Sequence, residues 1–198
     1  MFESISNQRY QLIIGILIAK FLFNFSIQID LLSLRHGLLS PYMSSAINLG
    51  LLIFLTYLLM DYFQVKLMYN VKTFYLTQTI IYTIIVLYGH AATGIDSSVT
   101  LVMLGIIGLA SLVTNLILYG VMAFSSETKA TPYLKYFGIG ALIITGLQQV
   151  HYYLFYLGNI STFLNYGWYI LEILFIVHFY REMKGIDENV FDEFVLDD

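Results

Sequence analysis

The chain has 198 residues, of which 59% are hydrophobic, only 11% are charged and none is cysteine. Soluble domains carry roughly a quarter charged residues, so most of the surface of this protein must face lipid rather than water. The lack of cysteine excludes disulfides, thiolate metal sites and cysteine catalysis within these residues. No basic patch of the kind that binds nucleic acid is present, so we expect no nucleic-acid partner.

Six apolar stretches are long enough to cross a bilayer as helices, which takes about 20 residues each. The stretches are continuous and do not alternate in polarity as the strands of a membrane barrel do. Pro41 and Pro132 each lie near the start of a stretch, where a helix tolerates proline. The sequence therefore predicts an all-α, polytopic membrane bundle of six transmembrane helices with short loops, at residues 11–30, 42–61, 73–90, 99–124, 134–157 and 162–180.

The charges predict the orientation and a separate tail. One side of the membrane would hold seven basic residues at or near the ends of the spans, and the other side only Arg35; the seven are Arg9, Lys66, Lys72, Lys129, Lys135, Arg181 and Lys184. This bias places both termini in the cytoplasm, with the cell (inner) membrane as the location. We expect residues 1–180 to form the transmembrane domain and residues 181–198 an acidic cytoplasmic tail.

Two ionisable residues, Lys20 and Glu172, lie near the middle of the first and the sixth predicted helix. A charge at the bilayer centre costs roughly 3 kcal/mol on insertion scales. Because the two helices run in opposite directions, both residues should lie at a similar depth. We expect these helices to be neighbours and the two charges to pair, either to fix helix packing or to serve a proton- or ion-linked site.

Other polar residues accompany these charges at helical spacing. Lys20, Asn24 and Gln28 recur every fourth residue in the first helix. The remaining residues of the predicted polar core are Gln148 and His151 in the fifth helix and Asn165 and Glu172 in the sixth. Such residues either line a solute or ion path or hold helices together through hydrogen bonds between them.

Smaller stripes occur in the other helices, and a face of small residues in the fourth. Asn48 and Thr56 share one helix face, as do Gln78 with Tyr82 and Ser111 with Asn115. Gly105, Gly108 and Ser111 would permit a close approach of helices, within the bundle or between protomers. We expect the four histidines to hold loops at the membrane interfaces, with no metal site and no cofactor.

The tail carries its own pattern. Its apolar residues recur at helical spacing among acids, which is typical of an amphipathic helix; they include Ile186, Val190, Phe191 and Phe194. Such a helix would dock on a cytoplasmic protein or on a second copy of the chain, and the alternative is a frayed, solvated tail.

Two functions fit these features. The first is a small membrane protein with a polar interior that binds or passes a small solute or ion, in the manner of a channel or transporter. The alternative is a membrane-anchored accessory subunit that acts through its acidic tail on a partner complex, such as a bacterial stress or defence system. An enzyme is disfavoured, because no nucleophilic serine motif and no phosphate-binding glycine loop is present.

Overall fold

The computed structural model describes residues 6–28, 41–91, 97–128, 131–151 and 158–185, and within these ranges every regular element is helical. The six long helices are α1 (Asn7–Gln28), α2 (Pro41–Val65), α3 (Tyr69–Ala91), α4 (Ser97–Phe124), α5 (Pro132–Val150) and α6 (Gly158–Lys184). A short 3-10 turn, Ser126–Thr128, precedes α5. The predicted all-α class is confirmed.

Most helices extend beyond the predicted spans at one or both ends. Residues 7–10 belong to α1, residues 62–65 to α2 and residues 181–184 to α6. The predicted spans end where the sequence becomes polar, whereas a helix continues through the membrane–water interface for as long as its backbone hydrogen bonds are satisfied. Four residues assigned to the tail, 181–184, are therefore the last turn of α6.

Five of the six helices are long and apolar enough to cross a membrane: α1, α2, α3, α4 and α6. The remaining helix, α5, has 19 residues and includes Lys135, Gln148 and Gln149 among them. Many large apolar side chains are exposed, and on α4 Leu101 is 69% and Leu109 62% exposed. A helix that is apolar on its outer face is suited to lipid, so these helices indicate a membrane protein.

The chain divides into two compact units. The first contains Met1–Gly15 and Tyr119–Asp198, and the second contains Ile16–Leu118. In the first unit α5 packs along α6, and in the second unit α2 packs along α3.

In the first unit the α5–α6 contact includes two close approaches at glycines. A Cβ on Gly140 would lie 2.6 Å from a methyl carbon of Leu171, and a Cβ on Gly167 would lie 2.8 Å from Cδ1 of Ile144. Without a side chain, each glycine lets a large residue of the opposite helix approach its backbone. Small residues are the usual means by which membrane helices pack closely.

The fourth helix does not use its small residues in this way. A Cβ on Gly105 or Gly108 would meet no atom within 4 Å. Among the residues that the structure describes, the predicted close approach at this face is therefore not seen. Close packing lies instead at Gly138, Gly140 and Gly167, and an approach between protomers at Gly105 and Gly108 stays a prediction.

Candidate functional site

The residues of the predicted polar core are distributed over both units. Lys20 and Asn24 are half-buried in the second unit, where Gln28, the last residue of α1, is exposed. Gln148, His151, Asn165 and Glu172 are half-buried in the first unit. The α1 stripe is therefore part-buried only at Lys20 and Asn24.

Glu172 lies midway along α6, one residue after the buried Leu171. Its Oε2 atom is buried. A carboxylate oxygen shielded from solvent in the middle of an apolar helix is costly, and this cost makes Glu172 the strongest candidate for a functional residue in the first unit. The pairing of Glu172 with Lys20 stays a prediction, because the two residues belong to different units.

The polar residues of the second unit bond to one another across helices. The hydroxyls of Thr56 and Thr79 lie 2.9 Å apart between α2 and α3. Gln78 Nε2 donates to Ser111 Oγ at 3.0 Å between α3 and α4. These direct bonds match the packing interpretation of the smaller stripes, in which amides and hydroxyls hold helices together.

An aromatic cluster occupies the core of the first unit. The ring of Phe175 lies 4.9 Å from Phe137 and 5.1 Å from Phe179, and Tyr119 lies 5.9 Å from Trp168, all measured between centroids. Phe179 is fully buried. Tilted and edge-on rings at these separations contribute about 0.5–1.5 kcal/mol per pair beyond burial.

His178 is part of this core. It is 1% exposed, and its ring centroid lies 4.9 Å from that of Phe179. The sequence placed it among histidines that hold loops at the interface, and the structure instead buries it against phenylalanines. The spacing of Leu171, Phe175 and His178 on one face of α6, all of them buried, is the signal that could have shown this.

The beginning of α1 and the end of α6 meet next to this core. Tyr10 Oη donates to Glu182 Oε2 at 3.3 Å. The Arg181 guanidinium lies 5.1 Å from the ring centroid of Tyr133, which is within the range of a cation–π contact. We call Tyr10, Tyr133, Arg181 and Glu182 the terminal cluster. The sequence does not reveal this cluster, because Arg181 and Glu182 fall within the predicted cytoplasmic tail.

The residues proposed for partner docking, Ile186, Val190, Phe191 and Phe194, lie outside the described residues, as does Arg35. In the ranges that are described, no group of three or more His, Asp or Glu side chains is arranged to hold a metal ion.

No protein-family model matches the chain, and no curated protein and no solved structure was found to be similar to it.

Proposed function

We propose that the protein is a multi-pass membrane protein that binds or passes a small solute or ion through a polar interior centred on Lys20 and Glu172. Both termini would lie in the cytoplasm, with the inner membrane as the location. The buried Oε2 of Glu172 within an apolar helix carries the proposal, because ionisable groups at membrane depth mark ion and substrate paths.

Helix geometry supports a common depth for the two charges. Lys20 follows Tyr10 by ten residues along α1, and Glu172 precedes Glu182 by ten residues along α6. With both termini on one side of the membrane, two helices that run in opposite directions would hold charges near their middles at a similar depth. Opposite charges at one depth relieve each other's cost of insertion.

Neutralisation of both charges tests the proposal. In vesicles that contain the purified protein, Lys20→Gln with Glu172→Gln should abolish proton or ion flux while the protein still inserts. The control is Lys135→Gln with Glu127→Gln, which removes the same charges near the α4–α5 connection and should leave flux unchanged. Flux that persists in the first variant would contradict the proposal.

A charge exchange separates pairing from flux. Lys20→Glu alone or Glu172→Lys alone should lower the thermal stability of the protein in detergent, and the two together should recover most of it if the residues pair. An exchange that recovers no stability would exclude the pair but not a role of Glu172 by itself.

The alternative, an accessory subunit acting on a partner complex, predicts the opposite result. Deletion of residues 186–198 would then abolish the cellular effect of the protein, and neutralisation of Lys20 and Glu172 would not.

A further inference from the structure

The α2–α3 hairpin carries an apolar groove on its outer surface. The groove has a volume of about 430 Å³. Its walls are formed on α2 by Ile53, Tyr57 and Met60 and on α3 by Leu76, Ile80 and Ile84. Most of these side chains are strongly exposed, with Tyr57 at 64% and Ile80 at 53%. The groove is therefore open toward the surroundings of the helices rather than closed inside the unit.

The floor of the groove offers no unsatisfied hydroxyl. The Thr56 and Thr79 hydroxyls share a hydrogen bond at 2.9 Å, in which one donates to the other. The hydroxyl that accepts donates in turn to a carbonyl of its own helix, that of Leu52 at 2.8 Å for Thr56 or that of Tyr75 at 3.1 Å for Thr79. Thr83, which also lines the groove, donates to the carbonyl of Thr79 at 2.8 Å. Hydroxyls that are already bonded within the hairpin present mainly methyl groups to an occupant. The groove is suited to a hydrocarbon chain.

Basic residues lie at one end of this groove. Gln64 follows Met60 by one turn of α2, and Lys72 precedes Leu76 by one turn of α3. Lys72 Nζ donates to Gln64 Oε1 at 2.7 Å, so the two side chains meet across the hairpin one turn beyond the lining residues Met60 and Leu76. An ammonium has three N–H donors, so further donors remain for an anion. Lys66, in the connection between the helices, is exposed.

The groove and its basic end have the dimensions of one lipid leaflet. Leu76 and Ile84 are eight residues apart, which is about 12 Å along a helix. Half of a hydrocarbon core is about 15 Å. The lysines lie just beyond the apolar walls, in the position that a headgroup has relative to its acyl chain.

We propose that the α2–α3 groove binds one acyl chain of an anionic phospholipid, whose phosphate contacts Lys72 and Lys66. Basic residues beside helices on the cytoplasmic face bind anionic lipid headgroups through the same chemistry. A second copy of the chain is a poorer occupant, because a two-fold contact at this groove would bring the lysines of both copies together. Asp61, the one acid in residues 41–91, opposes an anionic headgroup and limits the affinity.

Quenching by brominated lipid tests this site, because the chain has a single tryptophan, Trp168. In a Trp168→Phe background, Tyr57→Trp places the fluorophore in the groove. Phe54→Trp is the matched control, since Phe54 is 44% exposed on the same helix, one turn away, and does not line the groove. Each protein is reconstituted in phosphatidylcholine vesicles that contain a fixed fraction of brominated phosphatidylglycerol or of brominated phosphatidylcholine.

We expect brominated phosphatidylglycerol to quench Tyr57→Trp more strongly than brominated phosphatidylcholine, with a relative association about fivefold higher for each lysine that contacts the phosphate. The two lipids should quench Phe54→Trp equally. Addition of Lys66→Gln and Lys72→Gln should remove the preference, and addition of Lys135→Gln should leave it unchanged. Asp61→Asn should increase it.

Equal quenching of Tyr57→Trp by both lipids would overturn the proposal, as would a preference that survives the two lysine substitutions. Protection of Tyr57→Trp from both lipids would also overturn it, because a second copy or another helix would then cover the groove. Circular dichroism of each variant in the same vesicles identifies any variant that has lost its helices. Asp61→Asn is an independent check, because it should raise the preference for phosphatidylglycerol where the lysine substitutions lower it.

Discussion

Gly138 lies where α5 comes closest to the end of α4 in the first unit. A Cβ at this position would be 2.7 Å from the backbone nitrogen of Ala123, 2.7 Å from Cβ of Met122 and 2.8 Å from the carbonyl oxygen of Tyr119. Two of these atoms belong to the backbone and cannot rotate away. The contact therefore tolerates no side chain without a shift of one helix.

Gly138→Ala should lower the stability of the protein by about 1–3 kcal/mol, the usual cost of overpacking. Gly146→Ala, in the same helix, is the matched control, because its Cβ would meet no atom within 4 Å. It should leave stability unchanged or raise it by up to about 1 kcal/mol through helix propensity. Unfolding midpoints in detergent measure both, and equal effects would show that the close approach is absent.

The hydrogen bond from Tyr10 to Glu182 joins residues 172 positions apart in the sequence. Tyr10→Phe removes the donor and should lower stability by about 1 kcal/mol, since the bond is long and its acceptor is a carboxylate. Tyr136→Phe, at a position that is 58% exposed, should have no effect. Equal unfolding midpoints for the two variants would show that the bond does not stabilise the protein.

At the scale of single residues, the sequence shows which side chains are costly to bury in a membrane, but not which atoms they contact. Lys20 and Glu172 stand out because a charge in an apolar run is visible without coordinates. The importance of Gly138 is not visible, because it depends on which backbone faces it. His178 resembles the other three histidines in the sequence, and only its burial against Phe175 and Phe179 distinguishes it.

At the scale of elements, the connection between α2 and α3 has a defined backbone motif. Leu67 adopts a left-handed conformation with φ of 57°. The Met68 amide donates to the Phe63 carbonyl at 2.7 Å, and the Leu67 amide donates to the Gln64 carbonyl at 3.2 Å. These two bonds form a Schellman motif, in which the left-handed position is usually glycine. Met68, the next residue, is buried, and its burial adds the apolar contact that accompanies the motif.

Leu67→Gly should stabilise the protein by about 1 kcal/mol. It removes the cost of about 1–2 kcal/mol that a left-handed conformation imposes on a residue with a Cβ, and the larger loss of chain entropy by glycine on folding offsets part of this gain. The Leu67 side chain is 45% exposed, so little packing is lost. Leu67→Ala keeps the Cβ and serves as the control, with stability expected near that of the parent. A destabilised Leu67→Gly would contradict the strain argument.

Helix ends illustrate why elements are easier to predict than their boundaries. The left-handed Gly185, with φ of 59°, ends α6 in the position where glycine is common. The sequence nevertheless suggested an end near residue 180, because polarity changes there. Pro132 lies at the start of α5, as its sequence position predicts, because Thr131 is the N-cap residue and the proline is the next residue.

At the scale of the whole molecule, the number of membrane crossings depends on α5. Over their described residues, five helices meet the length and composition expected of a span, and α5, described as Pro132–Val150, does not. Its polar residues, Lys135, Gln148 and Gln149, lie toward its two ends. Its middle contains Ala141 and Thr145, which are buried in the first unit. A helix covered by other helices needs less apolar surface than one that faces lipid.

Labelling of single introduced cysteines tests whether α5 crosses, and the chain has no native cysteine to replace. With six spans, Ser126→Cys before α5 and Asn159→Cys after it should react with a membrane-impermeant maleimide from opposite sides. Gln64→Cys at the end of α2 should react from the same side as Ser126→Cys. Reaction of positions 126 and 159 from one side would reduce the count to five.

The fold class was predictable because lipid restricts a spanning chain to helices or closed barrels. The pairing of the helices was harder to predict from the sequence. The polar stripes indicated that α2, α3 and α4 bury polar residues, but not that Thr56 faces Thr79 or that Gln78 faces Ser111. Those partners depend on the rotation of each helix about its axis, which an apolar sequence specifies weakly.

The motif at Leu67 has a consequence for how the protein is made. Residues 41–91 contain two apolar helices, the turn that reverses the chain and the threonine bond that joins the helices. All of these contacts are close in sequence, and local contacts form fastest. The hairpin can therefore assemble as soon as both of its helices have entered the bilayer during synthesis, before α5 and α6 have been translated.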